Sequence, residues 1–189
     1  MELSASILFL PFIPIVSPPS TILVGTLGRV FWLRVEGKGC FQNSINVKNA
    51  VKSMLHAGTR DFVVDLERCP TMDSTFLGTL TGAALELREL GGGSLSVLNA
   101  NARNQQLLTS LGLDHILDVD LQGTSWVEER KQAAAALAQC AESAGAICKT
   151  EQASHVLEAH QALTQANEGN ASRFRDVITF LEKELSAKS

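Results

Sequence analysis

The apolar positions between residues 21 and 121 follow two patterns in turn: short β-branched runs and longer segments with a helical repeat. The runs Thr21–Leu27 and Val30–Val35 predict a β-hairpin, because Gly28-Arg29 between them can supply the unusual dihedral angle of a tight turn. Three later apolar runs each predict a strand: a buried one at Phe62–Leu66, a further one at Ser94–Leu98 and a short last one at Ile116–Leu121.

Three segments between these strands carry apolar residues at the spacing of one helix face. The first follows Asn43 or Ser44, either of which can cap it. The second runs from Ser74 to Leu90, and the third ends at Gly112. The order β-β-α-β-α-β-α-β over residues 21–121 predicts an α/β fold, in which helices pack on a single mixed β-sheet.

Residues 1–20 form a separate N-terminal extension that is apolar but interrupted by Pro11 and Pro14. Its apolar run is shorter than the roughly 20 residues of a membrane-spanning helix. It also lacks the positively charged start and clear cleavage site of a secretory signal. We therefore expect a cytoplasmic protein without stable membrane insertion. The extension is then either a loosely docked segment or lies upstream of the true start.

Residues 122–189 predict a helical extension. Ser125-Trp-Val-Glu128 has the pattern of a capping box and opens an Ala-rich helix that continues to about Ser143. Further helices are expected over Glu151–Gln165 and Ala171–Leu185. The apolar stripe of the last one consists of Phe174, Val177, Ile178 and Leu181. This stripe could join two copies of the chain as a homodimer, or it could cover the chain's own domain.

The composition argues against several classes of function. The formal net charge is −4, with no basic cluster and no tyrosine, so nothing supports nucleic-acid binding. The four cysteines lie apart without a CxxC pair, which predicts buried, reduced thiols rather than zinc ligands or disulfides. His155 and His160 are five residues apart, off a shared helix face, and are interpreted as surface histidines. We expect no enzyme, no metal and no cofactor.

Asp73 and Ser74 stand at the start of the second helix, after a buried strand and a short loop. At this position the first-turn N–H groups have no intrahelical partner and the helix dipole is positive, so a phosphate is accommodated there. Ser74 is therefore the candidate phosphorylation site, and Thr75 is a second, less favoured acceptor. A simple helix cap is the other interpretation of the pair. Asp65 is interpreted as a carboxylate that bonds to its own loop.

Three motifs occur in order along the chain: Val63-Val-Asp-Leu66, Met72-Asp-Ser-Thr75 and Leu111-Gly-Leu113. With them, residues 21–121 resemble the STAS domain, the family of anti-sigma-factor antagonists and sulfate-transporter tails. The resemblance implies the fold of that family. It matches Ser74 to the serine that such antagonists present to a partner kinase, and Asp73 to the acid before it. One departure is Phe76, where the family often has glycine.

The resemblance implies a bacterial anti-sigma-factor antagonist that acts by partner switching in transcription regulation. Its partners would be a regulatory serine kinase or anti-sigma factor and a PP2C-like phosphatase. The implied partner-binding residues are Asp73, Ser74, Thr75 and Phe76, and phosphorylation of Ser74 would switch binding off. The alternative is a non-phosphorylated STAS scaffold subunit of a membrane transport system for lipids or anions, which the apolar N-terminus favours.

Overall fold

A mixed β-sheet of six strands forms the centre of the computed structural model, which describes residues 20–140 and 148–187. The strands are β1 (Thr21–Leu27), β2 (Val30–Glu36), β3 (Asp61–Asp65), β4 (Ser94–Leu98), β5 (Asp118–Asp120) and β6 (Ala138–Gln139). Their spatial order is β5-β4-β3-β2-β1-β6. Strand β1 pairs antiparallel with β2 and β6, whereas β2 to β5 are parallel neighbours, as helical crossovers require.

Six helices surround this sheet in the described part of the chain. Helices α1 (Phe41–His56), α2 (Ser74–Glu89) and α3 (Ala102–Ser110) connect the parallel strands, with a short 3-10 turn at Leu113–His115 before β5. The C-terminal part adds α4 (Val127–Ala136), α5 (Lys149–Ala166) and α6 (Gly169–Ser186). The predicted fold class, a single mixed sheet with packed helices and a helical C-terminal extension, is confirmed.

Two predictions about turns and caps had different outcomes. The hairpin turn is as expected, because Gly28 has a φ of 61°, in the left-handed region that favours glycine. The first helix instead begins at Phe41, with Cys40 as its N-cap. Asn43 lies one turn inside, where its Oδ1 accepts a hydrogen bond from the N–H of Cys40 at 3.0 Å. Asn43 and Ser44 therefore belong to the first turn and are not the cap.

The two faces of the sheet carry separate hydrophobic cores, because successive strand residues point to opposite faces. On one face Phe31 and Phe62 pack edge to face, with ring centroids 5.9 Å apart, in the core shared with α1 and α2. On the other face Trp32 and Val63 pack with Ala133 of α4. Helix α4 thus gives the sheet its second cover and makes it the middle layer of the fold.

The predicted capping box at the start of α4 is wrong. Trp126 precedes α4 with a φ of 58°, and no side chain caps the helix. The N–H of Ser125 instead donates to Oδ2 of Asp120 at 3.0 Å, which draws the loop towards β5. Helix α4 also ends at Ala136, short of Ser143, because the chain then extends to pair β6 with β1. The last three positions of the predicted helix lie outside the described residues.

The apolar stripe of α6 packs on its own chain. Phe174 belongs to the main core and packs against His160 of α5, and Leu181 is also buried. Val177 and Ile178 are half-buried against the same core. Of the two alternatives left open by the sequence, the structure places this stripe over the chain's own domain.

No helix within residues 20–140 and 148–187 is long and apolar enough to cross a membrane. The N-terminal extension lies, apart from Ser20, outside the described residues. Oγ of Ser20 accepts a hydrogen bond from the N–H of Lys38 at 2.9 Å, so the end of this extension borders the sheet.

Candidate functional site

The carboxylate of Asp73 joins the starts of α1 and α2. Its Oδ1 accepts a hydrogen bond from the N–H of Phe76 at 2.8 Å, which caps α2. Its Oδ2 accepts one from the N–H of Phe41, the first residue of α1, at 2.9 Å. One side chain therefore satisfies a free donor of each helix and holds two positive dipole ends side by side.

Ser74 is the first residue of α2 and is half-buried. Its Oγ lies 3.0 Å from Nε2 of His160, a residue of α5. Nδ1 of His160 lies 2.8 Å from the carbonyl of Val156, which can only accept, so Nδ1 carries the proton. In the neutral ring Nε2 is then the acceptor, and the hydroxyl of Ser74 donates to it.

Thr75 and Phe76 lie in the interior instead of on a surface. Thr75 is 6% exposed and Phe76 is fully buried. The Phe76 ring packs so tightly against Gly39 that a Cβ there would come within 2.8 Å of it. The large side chain at the position where glycine is usual is therefore core packing. In this arrangement neither residue can contact a partner, and Thr75 is not accessible for phosphorylation.

The two histidines of α5 are buried, so their interpretation as surface residues is wrong. Each is 4% exposed. Five residues on a helix place His155 and His160 on different sides, yet both sides of α5 are covered. His160 bonds to Ser74 and packs edge-on against Phe174 of α6, with ring centroids 5.0 Å apart. His155 faces α1.

His155 is neutral and incompletely paired. Its Nε2 lies 2.8 Å from Oγ of Ser44, and that hydroxyl donates to the carbonyl of Phe41, so Nε2 is the donor. Nδ1 is buried without a hydrogen-bond partner among the described residues. Burial, helped by the nearby charge of Lys48, lowers the pKa of His155 from 6.5 to about 4.

Helix α5 approaches α2 as closely as a glycine allows. A Cβ built on Gly78 would lie 2.1 Å from the carbonyl oxygen of Ala159, nearer than any real contact. One turn later on α2, a Cβ on Gly82 would meet the Cβ of Ala162 at an ordinary 3.7 Å. The two backbones are therefore nearest at Gly78, one turn from Ser74.

Beside this contact, a cleft of about 200 Å³ lies between α1, α2 and α5. Lys48 of α1 and Glu158 of α5, both on its wall, form an ion pair. Burial alone would raise the pKa of Glu158, but the hydrogen bond and charge of Lys48 outweigh it and hold that pKa below the usual range.

The remaining candidate residues have structural contacts. Asp65, 1% exposed, accepts a hydrogen bond from the Arg34 guanidinium at 2.7 Å, one from Asn99 at 2.8 Å and one from the N–H of Glu67. The bond to Glu67 is the expected one to its own loop, whereas the bonds to Arg34 of β2 and to Asn99 after β4 join Asp65 to other parts of the sheet domain. None of the four cysteines forms a disulfide. Cys69 is buried as predicted, Cys40 and Cys140 are half-buried, and Cys148 is exposed. Within the described ranges, no three His, Cys, Asp or Glu side chains form a metal-binding group.

Sequence reasoning located Asp73 and Ser74 but missed the contribution of α5. The structure adds His160, His155 and Ser44 to the site, all buried and all in hydrogen bonds between α5 and the helix starts. The available signal was Gly78 and Gly82, four residues apart on α2. Such spacing marks a helix face that another backbone can approach.

Comparison with known proteins agrees with the fold. A family model described as Mlab, STAS domain matches residues 24–121, just over half of the 189-residue chain. A solved structure from Thermotoga maritima, described as an anti-sigma factor antagonist, is 19% identical, covers 58% of this chain and 91% of its own, and has a TM-score of 0.50. An anti-sigma factor antagonist from Mycobacterium paratuberculosis is 17% identical, covers 61% and 96%, and also has a TM-score of 0.50. No curated protein matches the chain at a significant level.

Proposed function

The chain belongs to the STAS family, and from this membership we propose that it is a non-catalytic regulator that binds a partner protein at the starts of α1 and α2. The partner is a regulatory serine kinase or anti-sigma factor in the bacterial cytoplasm, and the downstream process is transcription. The observation that supports this most is the position of Ser74. Its hydroxyl is the first side-chain oxygen of α2 and lies next to Asp73, whose carboxylate accepts a hydrogen bond from the start of each helix.

Phosphorylation of Ser74 is the proposed switch. The terminal phosphoryl group of ATP passes to Oγ of Ser74, the hydroxyl proton is released and ADP leaves. The product adds a charge of about −1.5 to −2 at neutral pH. The helix start tolerates this charge, because its free N–H groups and dipole are positive. A partner that accepted the neutral hydroxyl next to Asp73 now meets two anionic groups, and about 1.4 kcal/mol of repulsion lowers its affinity tenfold. A PP2C-like phosphatase restores the hydroxyl.

One observation favours the second candidate, a non-phosphorylated scaffold subunit of a transport system. The Ser74 hydroxyl is half-buried and hydrogen-bonded to His160, and Thr75 lies inside the core. A permanent subunit needs no free acceptor hydroxyl. Under this alternative the partner binds the same helix starts, and the charge of residue 74 is not used as a signal.

Intact mass measurement of the full chain purified from its native cell distinguishes the two candidates. We expect a fraction that carries one phosphate, and its absence in Ser74→Ala. The co-purified partner, once identified, is then titrated with Ser74→Ala and Ser74→Asp. We expect Ser74→Ala to bind and Ser74→Asp to bind at least about tenfold more weakly. Ser110→Asp, at the exposed end of α3, controls for added negative charge elsewhere. Equal binding by both Ser74 variants would discard the switch and favour the scaffold.

A further inference from the structure

Helix α5 of the chain covers the surface on which the proposed function depends. His160 binds the Ser74 hydroxyl, and His155 binds Ser44 in the first turn of α1. Between them, Ala159 lies against Gly78 at the closest approach of α5 to α2. A partner that docks on the starts of α1 and α2 would need the space that these three α5 residues fill.

We propose that α5 is an intramolecular competitor for the partner, so that a partner or kinase reaches Ser74 only after α5 has left this surface. The proposal rests on the proposed function of Ser74 and adds its regulation. The surface that α5 leaves is a shallow groove on α1 and α2, floored by the glycines of α2. It fits an amphipathic partner helix that has a small residue at the closest approach and polar side chains for the two serines.

The composition of the α5 contact suits a reversible cover. The buried residues of α5 are Ala153, His155, Ala159, His160, Ala162 and Leu163. Apart from Leu163 the aliphatic members are alanines, which remove little apolar area from water. Nδ1 of His155 is shielded from water and gains no hydrogen-bond partner in the part of the chain that the structure describes, which weakens docking further. A partner helix with larger apolar side chains can therefore compete with α5.

The cover is anchored at its far end. Nδ2 of Asn170, at the start of α6, donates to the carbonyls of Leu111 and Leu163, both at 2.9 Å. These bonds attach the α5–α6 connection to the end of α3. The connection lies about two helical turns after His160 along the chain. The part of α5 that includes His155 and His160 can thus separate from the helix starts while the α5–α6 connection stays in place.

The docked position of α5 and a phosphate on Ser74 exclude each other. The gap between Oγ of Ser74 and Nε2 of His160 is 3.0 Å, a single hydrogen bond, and cannot hold a phosphoryl group. Phosphorylated chains are therefore expected to have α5 displaced. The coupling is reciprocal: if phosphorylation favours the displaced state of α5, then a change that displaces α5 favours phosphorylation by the same free energy.

The test uses the full chain with Ser74→Cys, whose thiol reports access to this position. Alkylation by a small maleimide is followed at the residue 74 peptide by mass spectrometry, with the exposed Cys148 as an internal reference. Gly78→Ala is added to force α5 away, because its methyl group would meet the Ala159 carbonyl at 2.1 Å. Gly82→Ala is the matched control: it makes the same change on the same helix, with a 3.7 Å contact.

We expect alkylation at position 74 to be at least about tenfold faster with Gly78→Ala and nearly unchanged with Gly82→Ala. Ala159→Arg disrupts the same contact from the α5 side, so the result does not depend on the folding of one variant. Circular dichroism and urea unfolding verify that each variant is folded. Equal rates in all variants would overturn the proposal. So would a parent chain in which the thiol at position 74 already reacts as fast as Cys148.

A second measurement separates this inference from the proposed function. The chains with Ser74 intact are purified from the native cell, and phosphate is quantified with Gly78→Ala and with Gly82→Ala. More phosphate with Gly78→Ala than with Gly82→Ala supports both proposals. Faster alkylation without phosphate in any variant supports the cover and refutes the phosphorylation switch. Phosphate that is equal in the two variants, despite faster alkylation with Gly78→Ala, refutes α5 as a competitor.

Discussion

The sheet domain and the helix α5 that covers it are held in place by different kinds of contact. The cores around the sheet bury large apolar side chains such as Trp32, Phe62 and Phe76. The contact of α5 consists largely of alanines, two histidines with named hydrogen-bond partners, and one close backbone approach. Burial of apolar area is non-directional and tolerates small shifts, whereas hydrogen bonds and close approaches depend on particular atoms. The second kind of contact is therefore easier to reverse.

The largest expected effect comes from removing a core side chain of the sheet domain. Phe76→Ala deletes a fully buried ring and should lower the free energy of unfolding by about 3–5 kcal/mol. Phe180→Ala removes the same ring from α6, where the side chain is 64% exposed, and should change it by less than about 0.5 kcal/mol. Urea unfolding of both variants measures the difference. Similar losses in the two would contradict the assignment of Phe76 to the core.

This contrast also explains how much could be predicted from the sequence. The Gly28 turn, the succession of strands and helices along the chain up to β5 and the helix start at Ser74 follow from local causes, namely apolar periodicity, glycine and capping residues. Ser74 itself could be identified because Asp73 and the first turn of α2 are adjacent in the chain.

The contact of α5 with the starts of α1 and α2 could not be predicted in the same way. The partners of His155 and His160 lie 111 and 86 residues away in the sequence, at Ser44 and Ser74. Whether a histidine is buried depends on whether such a partner is present, and the residues next to it in the sequence do not show this. Apolar pattern alone also fails on α5, because Val156 and Leu157 are only half-buried, whereas Ala153, Ala159 and Ala162 are buried.

A smaller effect is expected from acidification, which acts on the α5 contact through His155. The folded chain holds the pKa of His155 at about 4, while the unfolded chain has the ordinary 6.5. The unfolded state therefore binds more protons as the pH falls below 6.5, and stability falls with it until the pH passes 4. At 1.36 kcal/mol per pKa unit, the free energy of unfolding falls by about 2 kcal/mol between about pH 7.5 and pH 5 because of His155. The charges that face this ring are Lys48 and Glu158, which oppose and favour its protonation respectively.

Urea unfolding at several pH values, together with amide hydrogen exchange of α5, measures this loss. His155→Gln keeps a donor for Ser44 but cannot titrate, so its stability should lack this pH dependence. His115→Gln changes an exposed histidine and should keep the pH dependence of the parent chain. If His155→Gln loses stability on acidification as steeply as the parent, the buried neutral ring is not the cause.

The smallest effect concerns the ion pair between Lys48 of α1 and Glu158 of α5, whose side chains are 22% and 53% exposed. Lys48→Met retains the apolar stem and removes the charge, and a pair this exposed contributes about 0.5 kcal/mol. Amide exchange in α5 should therefore become about twofold faster, and the difference should fade near 1 M salt, where the Debye length is about 3 Å. Lys131→Met removes the exposed pair with Glu128 on α4 and should leave exchange in α5 unchanged. If Lys48→Met leaves exchange in α5 unchanged even at low salt, the stem that methionine retains, and not the charge, holds α5. In that case packing would govern this contact as it governs the sheet.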